Sequence, residues 1–265
     1  MQIQTVERDE AILTGRIDGF SHRRLSVVQS LPAVLACMDA LRAEDRQARL
    51  LCTLDHLGQC LYTSGHAGMD ARIELPADDP GYDGPEDHDD PVQMLAWQQH
   101  RVAHVAGLLQ AGTHRPDWTA LAGSRRATLG DIDALLAMNR APDRVLDDVV
   151  YIQRLPVASD DLLIAGLPNG YFADDWSVFD NHAVILRLQA RHGYRLFGLG
   201  ASWLGFVHDG GARDAAALVD DLRHLYAAAP DTTASPAWAE LAGVLRQQDV
   251  LLLGYTDNFA DTLED

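Results

Sequence analysis

The sequence predicts an α+β fold, with a mixed sheet, packed helices and a helical middle segment. Three observations point there. The first third alternates short apolar runs with turns, the middle spaces its apolar residues as a helix does, and the chain from residue 146 onward alternates strand-like and helix-like segments irregularly. A chain of 265 residues that is 47% hydrophobic can bury one large core or two modest ones, which excludes disorder as a whole.

Taken in order, residues 1–76 form an N-terminal α+β segment. Residues 11–17 read as a strand, and residues 32–42 have helical spacing through Val34, Leu35, Met38 and Leu41. Residues 49–54 and 59–63 resemble a hairpin around His56, Leu57 and Gly58, and residues 71–75 add another strand. Residues 77–90 are an acidic loop or linker, because Pro80, Gly81, Gly84 and Pro85 interrupt any regular pattern among the carboxylates. Asp90, Pro91 and Gln93 then give a helix start: the aspartate caps free amides, proline fits the first turn and glutamine reaches back. This helix runs to about residue 110, with Leu95, Val102, Val105 and Leu109 on one face, and opens a helical segment, 91–140, continued by stretches at 117–122 and 129–138.

Residues 146–265 read as a C-terminal α+β domain. Strands are expected at 149–155, 162–165, 194–199, 202–207 and 250–255, and helices at 177–192, 213–228 and 236–247. Ser177 with Asp180 resembles a capping box, Gly193 stands where a left-handed C-cap belongs, and Ser235 with Pro236 repeats the start signal. No repeat of 20 to 50 residues is visible, which argues against solenoids and propellers.

Charge narrows the partners. The 39 acidic and 21 basic residues leave a net charge of −18, which repels phosphate backbones and anionic lipid surfaces, and no local basic patch overrides it. Neither nucleic acid nor membrane is therefore expected as a partner. Every basic residue is arginine, which removes lysine Schiff-base chemistry and the phosphate-binding lysine of a P-loop. Cys37, Cys52 and Cys60 are too few and too irregularly spaced for a disulfide framework or a thiolate zinc site. The first ten residues carry charges where a signal peptide needs an apolar run, and no stretch approaches a membrane span, so a cytoplasmic location is expected.

Residues 167–255 carry an acidic turn with tryptophan at Asp174, Asp175 and Trp176, a helix reading Asn181-His182-Ala183-Val184-Ile185-Leu186-Arg187, a His192-Gly193-Tyr194 turn into a strand, and an alanine-rich helix at 214–226. On these features the stretch resembles an uncharacterised bacterial family of unknown function, over about a third of the chain. The family's tryptophan-rich C-terminal ending is replaced here by Leu251-Leu252-Leu253-Gly254-Tyr255. The resemblance implies a compact α+β domain and brings no activity with it.

Candidate chemistry is sparse. His100 and His104 are four apart on the predicted helix, the spacing at which two imidazoles bind one zinc ion, but Arg101 replaces the glutamate of the H-E-x-x-H motif. With Trp97 they face away from the apolar stripe, and a third ligand would have to come from His56, His66, His114 or the acidic loop. The plainer reading is a polar helix surface. Asp175 and His182 form a candidate acid-base pair within a cluster that includes Asp174, Asp180 and Asn181; helix capping and a buried hydrogen-bond network explain most of it. Ser202 lacks the G-x-S-x-G spacing and reads as a β-turn residue, Gly198 and Gly200 make no G-x-G-x-x-G, and the acidic loop lacks the order of a calcium loop. No cofactor is expected. The residues favour a non-enzymatic acidic binding protein, of the immunity or inhibitor type, that captures a basic protein partner. The alternative is a metal-dependent hydrolase using His100 and His104, or an enzyme using His182 with Asp175.

Overall fold

The computed structural model describes residues 1–6, 17–28, 30–124, 126–210, 214–227, 229–257 and 259–263. Its strands are β1 (Gln2–Thr5), β2 (Ser21–Ser26), β3 (Arg49–Thr53), β4 (Val149–Leu155), β5 (Tyr194–Leu199), β6 (Trp203–His208) and β7 (Val250–Gly254). They form one sheet in the order β1-β2-β4-β3-β5-β6-β7, in which β3 and β5 are parallel and every other neighbouring pair is antiparallel. Strands from the first and last parts of the chain are thus interleaved, with β4 seated between β2 and β3. The fold is α+β.

The helices are α1 (Leu31–Glu44), α2 (Leu57–Ala67), α3 (Pro91–Ala111), α4 (Leu129–Arg140), α5 (Val178–His192), α6 (Ala215–Tyr226), α7 (Pro230–Ala234) and α8 (Ala237–Leu245). Their ends follow from the local sequence. Ser177 Oγ accepts from the Asp180 amide while Asp180 Oδ2 accepts from the Ser177 amide at 2.9 Å, and Gly193 closes α5 at φ 69°. Asp90 accepts from the Val92 amide at 2.8 Å, and Gln93 Nε2 reaches back to Asp90 at 3.1 Å. Among the described residues no helix is long and apolar enough to cross a membrane.

Three strands expected from the sequence are absent. Residues 59–63 lie in α2, where Cys60, Thr63 and Ala67 are buried at helical spacing beneath exposed Tyr62. Residues 71–75 form turns, in which Ile73 and Leu75 are buried without a ladder. Residues 162–165 belong to a short tight helix, Asp160–Gly166, with all four side chains buried in succession. An unbroken apolar run of four carries no period, so burial alone could not distinguish strand from helix. Of the strand expected at 11–17, residues 11–16 lie outside the described residues. Ser202 stands in the turn before β6, as its β-turn reading expects.

Helix α8 buries Ala237, Trp238, Leu241 and Leu245 and packs against α4 and α6. Leu241 is 1% exposed. Replacing it with alanine is expected to cost about 2 to 5 kcal/mol through lost burial and the cavity left behind. Chemical denaturation showing a loss below about 1 kcal/mol would remove Leu241 from the core.

Candidate functional site

The structure places the histidines of α3 under the acidic loop. His100 Nε2 lies 2.8 Å from Asp79 Oδ1, Trp97 Nε1 donates to Gly81 O at 2.8 Å, and the Asp87 amide donates to Gln93 Oε1. Residues 77–90 contain turns and no regular element, and they are fastened along the polar face of α3. His104 Nε2 is buried without a hydrogen-bond partner. His66 packs in an aromatic cluster and His114 lies 5.0 Å from the Phe179 ring, so neither joins His100 and His104. Among the described residues no group of three or more His, Cys, Asp or Glu side chains is placed to hold a metal ion.

Nor does the structure pair His182 with Asp175. His182 is 1% exposed and its Nε2 lies 3.1 Å from Asp161 Oδ2, on the tight helix before α5. This hydrogen bond holds the Asp161 carboxyl below its ordinary range. Asp175 is occupied with backbone: its oxygens accept from the Phe172 amide at 3.3 Å and the Asp257 amide at 3.1 Å. Asn181 is fully buried and donates to Trp176 O at 3.0 Å. The polar side chains on the inner face of α5 therefore build hydrogen bonds between elements.

The parallel strands β3 and β5 bring two chain segments together at their carboxyl ends, where open sheets commonly place their sites. Beyond β3 the Leu54 amide donates to Leu199 O at 3.0 Å, and Asp55 Oδ2 accepts from the Ser202 amide at 2.9 Å. The Ala201 amide donates to Asp55 O at 3.0 Å, and the Tyr255 hydroxyl lies 2.7 and 2.8 Å from the carbonyl oxygens of Gly200 and Ala201. A side chain at 200 would overlap Asp55 Oδ1, so the close approach requires glycine. Asp55 Oδ1 is buried and has no hydrogen-bond partner. Burial pushes this carboxyl up to about 7, against the amide hydrogen bonds and with a small contribution from Asp147.

Above this clamped turn lies a cleft of about 390 Å³. Ala201 and Ser202 line it from the β5–β6 turn, Gln59 and Thr63 from α2, Phe172 to Asp175 from the segment before α5, and Thr256 and Asp257 from the chain after β7. Thr63 donates to Asn169 Oδ1, and the Trp176 amide donates to Tyr255 O at 2.9 Å, so each wall is tied to another element. Three carboxylates, Asp174, Asp175 and Asp257, line the cleft, and among the described lining residues none is basic. From Phe172 in the cleft wall a chain of rings runs outward: Phe172 to Tyr171 at 5.3 Å, Tyr171 to His66 at 4.9 Å and His66 edge-on to Tyr62 at 4.2 Å. Tyr62, Tyr171 and Phe172 are 57%, 48% and 52% exposed.

Sequence reasoning selected Asp174 and Asp175 but missed Asp55, Asp257 and the ring cluster. A polar residue directly after the apolar run 50–54 was the one available sign of Asp55, because a buried carboxylate at a strand end needs donors from a neighbouring strand. No protein-family model matches the chain. Neither a curated protein nor a solved structure shows a significant match to it.

Proposed function

We propose that this chain is a non-enzymatic binding protein of the immunity or inhibitor type, which captures a basic protein partner by seating one of its arginine side chains in the carboxylate-lined cleft. The observation that carries this reading is the cleft with Asp174, Asp175 and Asp257 in its walls, set beside exposed, contiguous rings. Contiguous exposed apolar surface marks interaction sites more often than bare folds. A guanidinium suits this one, since it stacks on aromatic faces and presents a planar fork of donors to carboxylates. The net charge of −18 adds long-range attraction that speeds encounter with a basic partner. No reacting group is needed for this role: the cleft offers the Ser202 and Thr63 hydroxyls with no histidine among its described lining residues.

Titration calorimetry with a hexa-arginine peptide tests it. At low salt the peptide is expected to bind, and its affinity to fall about tenfold or more when salt is raised well past physiological strength. The double substitution Asp174→Asn with Asp257→Asn should weaken binding far more than Glu86→Gln with Asp89→Asn, which removes the same charge from the acidic loop. Tyr171→Ala with Phe172→Ala should weaken it too. Equal effects of the two charge-removing pairs would mean general surface attraction and overturn the assignment of the cleft.

A further inference from the structure

A second cavity, of about 240 Å³, lies between α2, α3 and residues 165–168, away from the carboxylate cleft. Leu61, Val102, Val105 and Leu167 give it apolar walls, Arg101 stands among them, and the Asp18 carboxyl also lines it, its oxygens accepting from the Phe20 amide, the Ser21 hydroxyl and Gln153 Nε2. The guanidinium centre of Arg101 is 4.9 Å from the Trp97 ring, and its Nη2 donates to Gly68 O at 3.2 Å. Among the described residues no carboxylate lies within ion-pair distance of it.

Among the described residues Arg23, Arg24, Arg46, Arg115, Arg126, Arg144 and Arg246 also lack an ion-paired carboxylate, but of the unpaired arginines it is Arg101 that lines the cavity. Carboxylates outnumber arginines 39 to 21, and Arg42, Arg49, Arg72, Arg140, Arg154, Arg187, Arg191, Arg195 and Arg223 all have one in contact. Burial depresses the pKa of Arg101, with only the more distant charge of Glu74 acting the other way. A half-buried cation without a counter-ion is a cost to the fold. Gln98 lines the same cavity; its Oε1 accepts from the Gly19 amide at 2.8 Å, which leaves Nε2 as the group able to donate. Ser64 adds a hydroxyl.

We infer that this cavity is a binding site for a small monocarboxylate with a short apolar tail. The carboxylate takes donors that Arg101 does not spend on Gly68, as a charge-assisted pair, with Gln98 Nε2 and the Ser64 hydroxyl as further donors. The tail packs on Leu61, Val102 and Val105. A phosphate is disfavoured, because Arg101 is the one cation among the described lining residues, the Asp18 carboxyl lines the same cavity, and a dianion would remain at best half neutralised.

Hexanoate is the probe, with hexylamine and hexanol as cationic and neutral counterparts of the same tail. Calorimetry on the full chain is expected to give a dissociation constant for hexanoate on the order of 1 mM or below, which an eight-atom ligand can reach, and no measurable binding of hexylamine. Arg101→Gln should weaken hexanoate at least about tenfold, the scale of one lost charge-assisted pair. Ser64→Leu, which narrows the cavity and leaves Arg101 in place, should weaken it as well, so that the result does not depend on one variant folding. Absence of hexanoate binding to the wild-type protein, or equal binding of hexanoate and hexanol with Arg101→Gln unaffected, would overturn the inference. The hexa-arginine test reports on the other cleft and is independent of this one.

Discussion

Between about pH 4 and pH 7 Asp55 is expected to lower the stability of the folded protein as pH rises, by on the order of 4 kcal/mol in total. The carboxyl is pushed up to about 7 in the fold by burial, from an ordinary value of 3.8. Below the lower value both states hold the proton and Asp55 makes no difference. Between the two values the folded state binds the proton more tightly than the unfolded chain, so each rise in pH favours unfolding; above about 7 the loss is complete. Asp161 and Asp221 act with the opposite sign. The His182 hydrogen bond lowers Asp161, and for Asp221 burial is outweighed by hydrogen bonds from Arg187 and His192, so the stability they contribute is present at neutral pH and lost as pH falls through their depressed values. Comparing urea unfolding of wild type and Asp55→Asn across this range isolates the term. Asparagine can still accept from the Ser202 amide but cannot ionise, so the difference between the two curves should shift toward the variant as pH rises. Parallel curves would mean that Asp55 does not titrate near neutrality.

Gly170→Ala is expected to destabilise the protein by about 3 kcal/mol or more, combining a left-handed backbone with a steric clash. Gly170 has φ 95°, and a Cβ there would overlap the carbonyl oxygen of Trp176 while lying 2.7 Å from its carbon and 2.9 Å from the Ser177 Cα. These are backbone atoms held by the Asn181 hydrogen bond and the α5 cap, so they cannot move aside as a flexible side chain would. Gly210 has φ 94° with nothing within 4 Å of the corresponding Cβ, so Gly210→Ala should show the conformational part alone, about 1 to 2 kcal/mol. Thermal and chemical unfolding of the two variants separates the contributions. Because residues 172–175 form one wall of the cleft, Gly170→Ala should also weaken hexa-arginine binding, and a variant as stable as Gly210→Ala would show that the wall yields.

What the sequence made legible was local. The Ser177 and Asp180 box, Gly193 and the short apolar runs within 149–155 and 194–199 determine their elements through neighbours a few residues away, and the structure has α5, β4 and β5 at those places. Helix α2 was hidden because Tyr62 and Thr63 favour strands while the buried Cys60, Thr63 and Ala67 mark a helix only once its packing is known. The site was less legible still. Asp55 meets the Ser202 amide across 147 positions, and His182 meets Asp161 rather than the nearer Asp175 because Asp160–Gly166 is a tight helix packed against α5, where a strand is expected from the sequence. Pairings of that reach depend on strand order, which composition and period do not encode.

The insertion of β4 between β2 and β3 also sets a schedule for synthesis. Strand β3 leaves the ribosome roughly a hundred residues before either of its sheet neighbours exists, and until then only the β1–β2 ribbon can form, a two-stranded unit too small to persist in water. The apolar run of β3, with Leu50, Leu51 and Cys52 fully buried in the finished protein, has no strand partner throughout that interval. Assembly of the sheet is therefore delayed until distant segments are made, and a nascent chain stalled before residue 149 holds an apolar strand with no strand partner, open to chaperones or to other copies of itself.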